Sequence, residues 1–246
     1  MFRPINLIIL AVLVAGVALV ARETMRRGGP TPAEVAAASE QVVIGRTYRV
    51  DRGFVQRTGK APGVAFQIIL PKRPEQTHQI GVEELPEGGV VQFNFRAEDE
   101  AFLESLFMAP IRIPMGEMDA RLGAIGPKLA EQGPALLSQK FEEVTSGEVR
   151  EIRLGAGEGY RALELTGTYL DPRDEARYTY RFIALPDPAR PESLYAVSHV
   201  NQAYREIADG DFSDSLTGMA LSTLRLTAPP VQDTAGQPGE SEEPSQ

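Results

Sequence analysis

The sequence predicts an α+β fold: an antiparallel sheet with flanking helices, preceded by a single N-terminal transmembrane helix. Three observations carry that expectation. Residues 5–21 are apolar throughout apart from Asn6. Between Val149 and Val200 four β-rich segments succeed one another across short connections, and the tight polar turns joining the first three point to antiparallel neighbours. After them, Phe212, Leu216, Met219, Ala220 and Thr223 recur at the spacing of one helical face.

The apolar run has 17 residues. At about 1.5 Å per residue it reaches roughly 25 Å, the short end for a membrane helix. A snorkelling Arg22 and local thinning of the bilayer would make up the difference. The run reads as an uncleaved anchor, with a cleaved signal peptide as the competing reading. Gly16-Val17-Ala18, a passable small-x-small exit, lies inside the run, and Ala21 has Leu19 at its minus-three position. The chain has no cysteine, so lipidation of a new N-terminal cysteine is excluded. Arg3 and the terminal amine precede the run; Arg22, Arg26 and Arg27 follow it. Charge alone favours keeping the folded part in the cytoplasm. The position at the very start of the chain favours export as a signal-anchor. The reading adopted is a single-pass protein of the inner (cytoplasmic) membrane whose folded part is periplasmic or extracytoplasmic.

The chain carries 25 Lys and Arg against 34 Asp and Glu. Residues 1–29 hold four basic residues and one acid, leaving 21 against 33 and a net charge of −12. Such a surface should repel nucleic acid and anionic lipid, so nucleic acid is not expected as a partner. Zero cysteines rule out disulfides, iron–sulfur clusters and thiol chemistry, and zero tryptophans remove the best stacking residue for sugars or bases.

Residues 1–27 are the anchor with its flanking charges, and 28–40 a linker. Within the linker Thr31-Pro32-Ala33-Glu34 reads as a capping box for a short helix to about Glu40. Residues 41–227 form one α+β domain. Its first strands are expected at Val42-Val43-Ile44 and Thr47–Val50, then Val64–Leu70 and Val90–Phe95. Glu98-Asp99-Glu100 place acids at a helix start, and Phe102, Leu103, Leu106 and Phe107 follow at helical spacing. Residues 119–141 read as two short helical pieces, because Gly126-Pro127 and Gly133-Pro134 interrupt the pattern. Strands follow at 149–154, 160–170, 176–185 and 194–200. Asp211 or Ser213 should cap the closing helix. Residues 228–246, with four acids and four prolines, read as a disordered acidic tail.

Strands such as Gly159–Leu165, Tyr178–Ile183 and Leu194–Val197, closed by a C-terminal helix, resemble the PsbP-like fold over residues 145–226. That fold is an antiparallel sheet flanked by helices, shared by extrinsic photosystem proteins and a Ran-binding import factor. The resemblance implies a binding or assembly protein rather than an enzyme. It carries over no binding residue.

No catalytic signature stands out. Gly53 to Lys60 fails as a phosphate loop: five residues separate its glycines where four are needed, and Ala61 replaces the Ser or Thr. Gly155-Ala156-Gly157 fails the dinucleotide pattern, because Tyr160 stands where the last glycine belongs. The two histidines are His78 and His199. Ser198 and His199 are strand neighbours and point to opposite faces, so they form no nucleophile–base pair. Asp209, Asp211 and Asp214 lack the spacing of a calcium loop, and Glu83-Glu84 and Glu142-Glu143 read as solvated loop or edge charges. No cofactor and no metal is expected. Six of the seven tyrosines fall between Tyr160 and Tyr204. Most read as cross-strand pairs within the sheet. The alternative is an exposed aromatic patch for a protein partner, with Tyr178, Tyr180 and Tyr195 as its candidates. The function expected is a non-enzymatic, membrane-anchored domain that binds a protein or supports assembly of a membrane complex. The alternative is a hydrolase or small-molecule-binding protein of the cell envelope. A pocket holding His78 or His199 beside two carboxylates would favour that alternative.

Overall fold

The computed structural model describes residues 43–72, 77–85 and 89–230. The expected membrane segment, linker helix and most of the acidic tail lie outside them. Among the described residues no helix is long and apolar enough to cross a membrane.

Among the described residues eleven strands and three α-helices run in the order β1 (Gly45–Arg49), α1 (Arg52–Thr58), β2 (Ala65–Pro71), β3 (His78–Glu84), β4 (Val91–Ala97), β5 (Phe102–Arg112), α2 (Met118–Leu137), β6 (Glu142–Ser146), β7 (Arg150–Leu154), β8 (Tyr160–Asp171), β9 (Ala176–Leu185), β10 (Glu192–Asn201), α3 (Leu216–Ser222) and β11 (Arg225–Thr227). A large sheet has the order β3-β4-β5-β10-β9-β8-β6, with β7 also pairing along β8. A small one has the order β1-β2-β11. Every pairing is antiparallel, as the short turns require. The α+β expectation therefore holds.

Both faces of the large sheet are covered, and the covers differ. On one face Ile183, Ala196, Leu106 and Phe93 pack with Phe66 and Ile68 of β2, Phe54 of α1, and Leu216 and Ala220 of α3. On the other, Leu165, Phe182 and Tyr195 pack with Leu122, Ile125 and Leu129 of α2. The closing helix is thus only part of one cover. Of its expected face, Phe212, Leu216 and Ala220 are buried, whereas Met219 is half-buried and Leu221 and Leu224 lie inside instead.

Two segments depart from expectation. Residues 102–112 are not a helix but β5, which lies between β4 and β10. With both faces covered, its apolar residues no longer alternate, and a run of this kind imitates helical spacing. Residues 118–137 are one helix of 20 residues with Pro127 and Pro134 inside it. Each proline removes one i→i−4 bond and crowds the preceding turn, worth about 3 kcal/mol. Burial of Leu122, Ile125, Leu129 and Leu137 outweighs the loss. The helix start is pegged by Arg121. Its buried guanidinium donates to the carbonyls of Asp187 (2.6 Å) and Arg190 (3.0 Å) and to Ser193 Oγ (3.3 Å). Four further elements were not expected: α1, capped by Asp51 and closed by Gly59 in the left-handed region, β3, an alternating edge strand, and the short strands β6 and β11.

Candidate functional site

The three candidate tyrosines do come together, but inside the protein. Tyr178 and Tyr180 of β9 and Tyr195 of β10 all belong to the core under α2, at 5, 0 and 4 % exposure. Phe141 stacks on Tyr169 at 4.1 Å and Tyr169 on Tyr178 at 5.2 Å, while Tyr195 stacks on Phe182. The hydroxyl of Tyr178 donates to Asp174 (2.6 Å) and that of Tyr180 to the carbonyl of Thr145 (2.8 Å). Burial raises the ionisation of all three, that of Tyr180 to about 12. An exposed aromatic patch is therefore not built from these residues. α2 covers that end of the sheet face, a packing that strand periodicity alone does not reveal.

His199 belongs to the same cluster. Its Nδ1 lies 3.0 Å from the hydroxyl of Tyr169. Burial pushes it down to about 4, and burial is the sole cause. Among the described residues no carboxylate holds it as a general base would be held. Ser198 faces the other side, as strand geometry requires, and its Oγ is buried with no hydrogen-bond partner among the described residues. His78 Nε2 lies 2.9 Å from the carbonyl of Pro71. Among the described residues no group of three or more His, Asp or Glu could hold a metal ion.

The remaining buried charges have structural partners. Glu164 of β8 bridges Arg150 and Arg181, and the Arg181 guanidinium lies over the ring of Phe212 at 5.2 Å. Glu104 of β5 accepts from the backbone N–H groups of Leu216 (2.9 Å) and Thr217 (2.8 Å) and from Thr217 Oγ1 (3.0 Å). With Ser215 Oγ accepting from Gly218, Glu104 caps α3. The expected caps do otherwise: Asp211 accepts from the backbone of Ser213 in a local turn.

The described surface also carries a charged groove, built by elements other than those around His199. An open groove of about 830 Å³ runs between β1, an edge strand among the described residues, helix α1 and β3. Arg46, Arg49 and Arg57 line it, with Asp51 and Glu84. Glu84 is occupied: Arg57 donates to it at 2.6 Å and Tyr48 at 3.0 Å, which holds its carboxyl below the usual range. Asp51 is occupied as the cap of α1. Arg49 donates to Gln67, and neither Arg46 nor Arg49 forms an ion pair among the described residues. Glu84 is thus an edge charge, as expected, but an engaged one. A smaller cavity of about 270 Å³ continues past Arg49 and Arg52 to Thr227 and Pro230. Sequence reasoning passed over these arginines because they were absorbed into a net acidic total.

No family model matches the chain, and no curated protein matches it. Among solved structures it is similar to LpqN, described as involved in cell envelope biogenesis of Mycobacterium tuberculosis. The identity is 11 % and the TM-score 0.43, over 74 % of this chain and 91 % of that one.

Proposed function

We propose that this protein is a non-enzymatic domain held at the membrane by residues 5–21, which binds a protein partner or supports assembly of a membrane complex in the cell envelope. The observation that carries this reading is where the ionisable groups inside the fold go. Glu104 caps α3, Glu164 ties two arginines together and the half-buried His199 is bonded to Tyr169, so each is engaged in holding the fold. Active sites usually leave such groups poised toward a cleft. The groove along β1 and α1 is instead open and charged, which suits a surface contact. A relationship to the PsbP-like fold belongs to the same proposal; the meander β7 to β10 followed by α3 supports it.

A second reading, a small-molecule-binding protein of the envelope, is favoured by the size of that groove, which falls within the ~300–1,000 Å³ of ligand sites.

The test is extraction of the full chain in mild detergent, followed by size-exclusion and identification of co-eluting proteins. A partner in fixed ratio is expected. Elution of the chain alone from membranes that contain its neighbours would sink the proposal. Export is tested by protease added to cells with permeabilised outer layers: digestion of the folded part is expected, and protection would place it inside.

A further inference from the structure

The net acidic charge of this protein conceals a segregation. Residues 43–72 carry Arg46, Arg49, Arg52, Arg57, Lys60 and Lys72 against the single acid Asp51, net +5. Residues 77–230 carry 14 basic residues against 25 acids, net −11. Residues 43–72 make β1, α1 and β2, most of the small sheet and the helix beside it, and Glu84 of the acidic part reaches them through its ion pair with Arg57. All six cationic side chains are exposed. Ile44 stands among them with 69 % of its surface in solvent, at a point where its carbonyl accepts from the backbone of Lys72 (2.8 Å). An exposed large apolar residue in a basic segment has the composition of a membrane-surface contact.

We propose that this basic face docks on anionic phospholipid headgroups of the membrane that holds residues 5–21. This rests on the membrane attachment proposed above and adds a second, electrostatic contact to it. The chain itself argues for that occupant. Val43 opens the basic segment, and 21 residues separate it from the end of the apolar run. Even fully extended those residues reach only about 70 Å, so the basic end is never far from the bilayer. Tethering raises the local concentration of lipid seen by the face. Each Lys or Arg near an anionic surface strengthens attraction roughly fivefold, whereas the acidic remainder of the domain is repelled. The same field that draws the face down therefore orients the domain, with its acidic side toward solvent. The uniform repulsion from anionic lipid expected from net charge is replaced by a directed attraction.

The absence of cysteine makes the test clean. Thr47, exposed in the groove, is replaced by cysteine in the full chain and labelled with an environment-sensitive fluorophore; a second preparation carries the label at Glu175, exposed in the turn between β8 and β9. Both are reconstituted in phosphatidylcholine vesicles with or without phosphatidylglycerol and with a lipid-borne quencher. Quenching at residue 47 should rise only in the anionic vesicles and fall in roughly 0.5 M salt, where screening is complete within a few Å. Replacing Arg46, Arg49 and Arg52 by glutamine should lower the docked-to-free ratio by roughly tenfold or more. All three are exposed, and an unchanged melting temperature of that variant verifies its fold. Equal quenching in the two vesicle types, equal response at residues 47 and 175, or a response to soluble polyglutamate but not to vesicles would overturn the proposal. The last result would assign the face to an acidic protein. Flotation with phosphatidylcholine vesicles alone reports the membrane segment separately, so failure of the anchor and failure of the docking face are told apart.

Discussion

Glu104 and Leu216 are 112 residues apart in sequence, yet the carboxylate of the first accepts the backbone N–H of the second at 2.9 Å. The contact joins strand β5 to the first turn of α3 and satisfies helix donors that would otherwise be buried without partners. Glu104→Ala should destabilise the protein by on the order of 3–5 kcal/mol, because three donors lose one acceptor group. Glu104→Gln, which keeps one acceptor oxygen, should cost less. Burial raises the carboxyl of Glu104, so the native state favours its protonated form and its contribution declines as pH rises through the folded value. The Gln variant should therefore gain on the wild type as pH increases. Urea denaturation of both at several pH values checks the order and the sign.

Leu216 is 2 % exposed and sits between β2 and β5. Leu216→Ala should cost roughly 2–5 kcal/mol. Met219→Ala, at a half-buried position, should cost clearly less. An unchanged unfolding midpoint for Leu216→Ala would mean that the helix face is open to a partner instead of closing the core.

His199 gives the fold an acid limit. Its native value near 4 lies below the ordinary value of about 6.5, so between the two the unfolded chain binds more protons. Stability from this residue is present above pH ~6.5 and is lost as pH falls toward ~4, by up to about 3 kcal/mol. His199→Gln should flatten that part of the stability–pH curve. A variant curve parallel to the wild type over this range would show that the ring titrates normally.

Two glycines of α2 should respond in opposite directions to alanine. A Cβ at Gly123 meets nothing within 4 Å, so Gly123→Ala should stabilise by roughly 0.5–1 kcal/mol through the unfolded chain's lost freedom. A Cβ at Gly133 would stand 2.9 Å from the ring of Phe182 and 3.2 Å from Leu165. Gly133→Ala should destabilise by about 1–3 kcal/mol despite the better helix propensity. Thermal melts of the two variants against the parent decide it.

What the sequence determined by itself was the local and nearest-neighbour structure. Strands β7 to β10 were legible because each alternates or ends at a polar turn, and two segments joined by a short turn have few ways to pair. The α+β class and the closing helix followed from the same patterns. Tertiary structure decided everything that depends on what lies above a residue. It made β5 a strand, since a segment buried on both faces has no periodicity to read. It carried α2 through two prolines, because packing on β8 and β9 outweighs local propensity. It placed Tyr178, Tyr180 and Tyr195 in the core by laying that helix over them. It recruited Glu104 as a cap from another element, and it brought Arg46, Arg49, Arg52 and Arg57 to one groove and the cavity beside it on an acidic protein. Charge composition is a sum over the chain, whereas a docking surface is a distribution in space, and only the fold converts one into the other.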